Sequence, residues 1–134
     1  RYRHYKGGDY EVIGVARHTE TLEPLVLYRT QAGAAVALSD RCPHRFAPLD
    51  QGQLVGDEVQ CPYHGLKFDC SGKCTDNPHG AHMIPAAMTL RQYPLLERHS
   101  ALWIWMGEAA KADLMRWTWT GQEVVRSLLR RAAP

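Results

Sequence analysis

Cys42-Pro43-His44 and Cys61-Pro62-Tyr63-His64 place two thiols and two imidazoles in two short segments, with sixteen residues between them. Each segment offers one sulfur and one ring nitrogen from a single turn. Two cysteinates and two histidines suit a [2Fe-2S] centre in which one iron takes both sulfurs and the other both nitrogens. The same four residue types also make a zinc set. Zinc fingers, however, pair Cys with Cys and His with His in their separate knuckles, whereas each segment here mixes the two.

The ligand types set the chemistry. Cysteinate is soft, anionic and strongly donating; imidazole is neutral and donates less. Exchanging two thiolates for two imidazoles makes such a centre less negative and easier to reduce, moving its potential from roughly −400 mV into the range of about −150 to +300 mV. A ligating imidazole also keeps a second N–H that can donate to a redox partner and titrate with the charge of the centre. These residues therefore point to a protein that carries electrons.

Positioning four donors from two loops requires a rigid frame, and the rest of the chain supplies mostly strands and turns. Residues 10–17 and 25–30 are β-branched or aromatic runs joined by a polar turn, which reads as a hairpin. Further strands are expected at 34–38, 58–60, 66–68, 89–93, 95–97 and 102–106. Short strands separated by Gly, Pro, Asn and Asp imply an all-β sandwich or barrel. Thr120-Gly121-Gln122-Glu123 resembles a capping box, and Val124, Val125, Leu128 and Leu129 follow at helical spacing. A short amphipathic C-terminal helix ending in Arg130-Arg131 is expected there. The chain divides as 1–113, the cluster-binding domain, and 114–134, a divergent tail.

Composition agrees with one small core, at 134 residues and 45% hydrophobic. A net charge of +2 is too mild to argue for nucleic acid. With no apolar run of membrane-spanning length and no leader, a cytoplasmic protein without membrane attachment is expected. Cys70 and Cys74 flank the turn that follows the second cluster segment. They read as free thiols in a hairpin, with a disulfide between them as the alternative.

The text around the ligands carries a resemblance. Asp40-Arg41-Cys42-Pro43-His44-Arg45-Phe46-Ala47-Pro48-Leu49 and Cys61-Pro62-Tyr63-His64-Gly65-Leu66-Lys67-Phe68-Asp69 resemble the N-terminal Rieske [2Fe-2S] domain of Rieske non-haem iron aromatic-ring-hydroxylating oxygenases, in particular those similar to vanillate O-demethylase. Ser71-Gly72-Lys73-Cys74, Asn77-Pro78-His79-Gly80 and Leu102-Trp103-Ile104-Trp105-Met106-Gly107 extend the likeness to residue 113. Residues 1–28 are more similar to a small uncharacterised bacterial β-domain, so that the hairpin at 10–30 reads as of foreign origin.

This resemblance implies stacked antiparallel sheets with a two-loop cluster-binding end, and Cys42, His44, Cys61 and His64 as cluster ligands. Arg45, Phe46, Pro62, Tyr63, Gly65 and Leu66 are expected around the cluster, with Phe46, Pro62, Tyr63 and Leu66 covering it. Gly65 is expected to hold a conformation or contact that a Cβ would disturb. Respiratory Rieske proteins add one cysteine to each loop to form a bracing disulfide; Tyr63 occupies one of those places here, so a potential at the low end is expected. The implied partners are a flavin or ferredoxin reductase as electron donor and an oxygenase catalytic domain as acceptor.

No His follows His99, and the stretch after residue 113 is too short for a catalytic domain holding a mononuclear iron. The chain by itself is therefore not expected to oxygenate a substrate. A Rieske domain of an oxygenase, a stand-alone Rieske ferredoxin and a metal-free binding module are the three readings. Pro43, Arg45, Phe46 and the Trp-Ile-Trp-Met-Gly ending favour the first.

Overall fold

Leu25-Val26-Leu27-Tyr28 and Val36-Ala37-Leu38 are apolar at every position, the pattern of strands buried on both faces. In the computed structural model, which describes residues 2–4, 8–10, 12–17, 23–98 and 101–112, they lie in the central layer of the protein. Strands β1 (Tyr2–His4) and β2 (Gly8–Tyr10) form an antiparallel pair. Strands β3 (Val12–Arg17), β4 (Pro24–Arg29) and β5 (Ala35–Ser39) form a three-stranded antiparallel sheet. A four-stranded antiparallel sheet follows: β6 (Gln53–Val55), β7 (Glu58–Gln60), β8 (Lys67–Phe68) and β9 (Cys74–Asp76). The last pair is β10 (Leu95–Arg98) with β11 (Ala101–Ile104).

Because side chains alternate along a strand, β4 and β5 feed two separate cores. Val26, Tyr28, Val36 and Leu38 pack with Leu54, Val59, Phe68 and Cys74 of the four-stranded sheet, and this core also holds Cys42 and Cys61. Leu25, Leu27 and Ala37 pack with Tyr93 and Ile104 on the opposite side. The expected all-β arrangement of stacked antiparallel sheets is thus what forms, with the ligand cysteines rooted in one of its two cores. Arg29 adds a bidentate ion pair from β4 to Glu97 on β10, at 2.9 and 2.7 Å.

The expected strand at 89–93 does not form as a regular element. Its backbone is shared between two sheets: Tyr93 N–H donates to Ala37 and Ser39 N–H donates to Arg91 O, while Leu90 N–H donates to Gly72. Single bridges join Leu38 to Gln92 and Lys73 to Thr89. The segment is therefore a cross-brace. Gly72 permits it, since a Cβ there would lie 2.3 Å from Leu90 O and its φ is +84°. Strands β6 and β9 were not expected, because each buries a single side chain, Leu54 or Cys74, among polar neighbours. The expected helix near the C-terminus lies outside the described residues.

The β8–β9 turn is built on Asp69, whose Oδ1 accepts from Ser71 N–H, Ser71 O–H and Lys73 N–H at 2.8, 2.6 and 3.1 Å. Burial alone would raise its pKa, but these donors hold the carboxyl below its ordinary value. A group with a depressed folded-state pKa contributes stability above its unfolded value near 4 and loses it as pH falls through the folded one. Asp69→Ala is therefore expected to cost about 1 kcal/mol at pH 7. In urea titrations the difference from the native sequence should shrink steadily below about pH 4; a cost independent of pH would assign it to packing instead.

Cys70 and Cys74 are free thiols, as expected for this hairpin. Their sulfurs donate to Asp57 O and Asp76 O at 3.5 and 3.4 Å.

Candidate metal centre

Both ligand segments fold into the same hydrogen-bonded ring. In the first, which follows β5, Cys42 N–H donates to Ala47 O at 2.9 Å and Phe46 N–H donates back to Cys42 O at 2.7 Å. In the second, between β7 and β8, Cys61 N–H donates to Leu66 O at 2.8 Å and Gly65 N–H to Cys61 O at 3.1 Å. Each ring thus runs from a cysteine to the fifth residue after it, and it raises the intervening histidine to the surface. The cysteines stay at the base, 1% and 3% exposed.

The four donors meet as like with like. His44 Nδ1 and His64 Nδ1 are 3.0 Å apart, a separation that one ion with bonds of about 2 Å can span. The Cys42 thiol lies within hydrogen-bonding reach of the Cys61 thiol. Burial pushes Cys42 up to about 11, with the neighbouring Cys61 adding to the rise and the N–H groups of His44 and Arg45 opposing it. Two adjoining buried thiols resist ionising unless a metal takes their protons' place. His64 is held below its ordinary pKa by desolvation and by the positive fields of His44, His79 and Arg45, which favours the neutral, ligating form.

Among the described residues no three His, Cys, Asp or Glu donors gather at one point. A two-iron centre needs a sulfur pair and a nitrogen pair, which is the grouping present. The donor chemistry therefore fits a [2Fe-2S] cluster.

Comparison with known proteins decides the family. The model of the Rieske [2Fe-2S] domain matches residues 6–94. This chain belongs to the Rieske [2Fe-2S] domain family. A [2Fe-2S] cluster of the Rieske type comes with that membership. The chain is 53% identical over 90 residues to the oxygenase component of dicamba O-demethylase from Stenotrophomonas maltophilia, covering 67% of this chain and 26% of the relative. It is 42% identical over 91 residues to the oxygenase subunit of vanillate O-demethylase from Pseudomonas sp. (strain ATCC 19151), covering 68% of this chain and 27% of that one. A crystal structure of dicamba monooxygenase with non-haem iron and dicamba superposes with a TM-score of 0.69 at 45% identity, over 78% of this chain and 33% of that one. The chain thus spans about a quarter of the length of these curated relatives, and what it matches is the Rieske part of oxygenase components.

Within the Rieske domain, the surroundings of the site differ from expectation. Leu66 is buried, but Pro62 is exposed, and Phe46 and Tyr63 are 69% and 60% exposed. These three side chains face solvent. The reason lies in the rings: their turns put the flanking side chains on the solvent side, with Tyr63 stacked on His64 at 4.0 Å between ring centres. Arg45 is likewise exposed. Gly65 has the expected special conformation, φ +72°, but an added Cβ would make only ordinary contacts, with Gln60 Nε2 at 3.4 Å and Pro78 Cγ at 3.6 Å.

At the matching place in the first ring, Phe46 adopts φ +56°. A bulky residue in the left-handed region is strained by about 1–2 kcal/mol. Phe46→Gly is therefore expected to raise the stability of the metal-free protein by about 0.5–1 kcal/mol, after glycine's own entropic cost. Gly65→Ala should lower it by about 1 kcal/mol. Urea midpoints that move in the same direction would refute the equivalence of the two rings.

Three residues near the site carry roles that the motif did not suggest. His79 is exposed and sets its ring edge-on to His64 at 5.6 Å. Gln60 reaches from β7 toward Gly65 O at 3.5 Å, while its own Oε1 accepts from Gln53 Nε2 at 2.8 Å. Asp40 is a buried carboxylate at the foot of the first ring. Of the other histidines, His82 pairs with Asp76 at 2.9 Å, and Asp76 also meets Lys67. His18 and His99 lie outside the described residues.

Proposed function

We propose that this chain carries single electrons through a Rieske [2Fe-2S] cluster held by Cys42, His44, Cys61 and His64, as the Rieske domain of an oxygenase. The paired Nδ1 atoms of His44 and His64, together with the paired thiols of Cys42 and Cys61, are the observation that supports it most directly. When bound, the cluster supplies a one-electron couple whose charge is shared between sulfur and imidazole ligands.

The protein residues do the rest. Cys42 and Cys61, rooted in the core, hold the buried side of the site away from water. N–H groups of His44 and Arg45 point at the Cys42 sulfur and stabilise negative charge there. With Nδ1 turned inward, His44 and His64 keep Nε2 free to hold a proton and to donate it in a hydrogen bond to a docked partner. Relatives that are oxygenase components of multi-component systems support a flavin or ferredoxin reductase as donor and an oxygenase catalytic domain as acceptor. Among the described residues no helix is long and apolar enough to cross a membrane.

The test is anaerobic loading with iron and sulfide, followed by visible absorption and EPR of the dithionite-reduced protein. A rhombic spectrum with a low average g is expected. A colourless protein that takes up zinc in preference to iron would overturn the proposal.

A further inference from the structure

The base of the first ligand ring is closed by a side chain that donates nothing to a metal. Asp40 directly follows β5 and is only 3% exposed. Its N–H donates to Pro24 O at 2.9 Å, which fixes it to the start of β4. Its Oδ1 accepts Asp50 N–H at 2.7 Å, and its carboxylate also accepts Leu49 N–H. The carboxylate therefore spans from one end of the ligand loop, residues 41–48, to the other.

The far end needs such a partner. Residues Leu49–Gln51 form a single 3-10 turn preceded by Pro48, which makes no side-chain cap bond. The first N–H groups of a helical turn have no partner within it, and proline offers no side-chain oxygen to supply one. Asp40 supplies it from across the loop. Leu49 is buried in the same core as Cys42 and Cys61, so fixing residue 49 also fixes the floor beneath the two sulfurs. The second ring has a weaker brace, the 3.5 Å contact from Gln60 to Gly65.

We infer that Asp40 is a positioning residue: its buried carboxylate clamps both ends of the first ligand loop and so sets where Cys42 and His44 stand relative to Cys61 and His64. This rests on the Rieske reading given above. The contacts of the clamp are all made by protein groups, so amide exchange reads it separately from cluster uptake.

The experiment compares Asp40→Ala and Asp40→Asn with Ile104→Val, a mild loss of volume in the other core. Amide exchange by NMR is read in the full metal-free chain, and cluster loss to a chelator, EPR and potential are read in the loaded chain. In the metal-free protein, Leu49 and Asp50 amides should exchange on the order of tenfold faster or more in Asp40→Ala, the scale of losing a charged hydrogen-bond acceptor. Asp40→Asn, which keeps an acceptor oxygen, should restore slow exchange. In the loaded protein Asp40→Ala should lose its cluster faster and alter the EPR line shape, whereas Ile104→Val should lower the melting temperature with neither change. Unchanged exchange at residues 49 and 50 overturns the clamp even if no cluster assembles. An Asp40→Ala protein whose EPR and cluster loss match those of Ile104→Val overturns the positioning role. Failure of the native chain to take up a cluster, with the exchange result intact, counts against the Rieske reading alone.

Discussion

Cys61→Ser is expected to fold and to lose nearly all of its visible chromophore. The sulfur of Cys61 lies in the core beside Cys42, where only the thiolate is both soft enough for iron and small enough for the space. A serine oxygen there is a hard, weakly acidic donor, and burying its hydroxyl costs about 1–3 kcal/mol when it lacks a partner. Cys61→Ala separates the two effects. It removes the donor without adding a buried hydroxyl, so it should be equally colourless but more stable in urea than Cys61→Ser. Cys70→Ser and Cys74→Ser should keep the colour, because their sulfurs are already engaged as donors to the Asp57 and Asp76 carbonyls. Absorbance per protein after iron and sulfide loading checks all four. A Cys74→Ser protein without colour beside a coloured Cys61→Ser would show that the wrong cysteines have been assigned.

The candidate ligand set is legible because it is local. Each loop encodes its sulfur and nitrogen within three or four residues, and a motif that short survives without knowledge of the fold. The strands at residues 25–30 and 34–38 were legible for a related reason, since strands covered on both faces are apolar throughout. What could not be read depends on contacts between distant segments. Residues 89–93 have strand-like composition, but their hydrogen bonds are divided between Ala37 and Ser39 on one side and Gly72 on the other. Phe46 and Tyr63 are expected from the sequence to shield the cluster because burial tunes a cluster's potential. The positive φ at Phe46 and the stacking of Tyr63 on His64 turn them to solvent instead. Asp40 looked like part of the ligand text. Its carboxylate contacts are with residues 49 and 50, nine and ten positions along the chain, which a local motif does not encode.

His64→Cys is expected to retain a cluster while lowering its potential, from the Rieske range toward the value of roughly −400 mV set by four thiolates. A third cysteinate adds negative charge to the iron that His64 would hold, and that charge disfavours the reduced form. The substitution also removes one of two ionisable rings. With a cluster bound, reduction would make coordinating imidazoles more basic, so electron uptake would draw in protons and the potential would fall as pH rises. With only His44 remaining, that fall should become shallower. The stacking of Tyr63 and the edge contact of His79 are lost together with the ring, so Tyr63→Ala serves as the control for contact without ligation. It should shift the potential much less and keep the full pH slope. Voltammetry of the loaded proteins between pH 6 and 10 checks both quantities. A His64→Cys potential equal to or above the native one, or a pH slope left intact, would remove His64 from the ligand set.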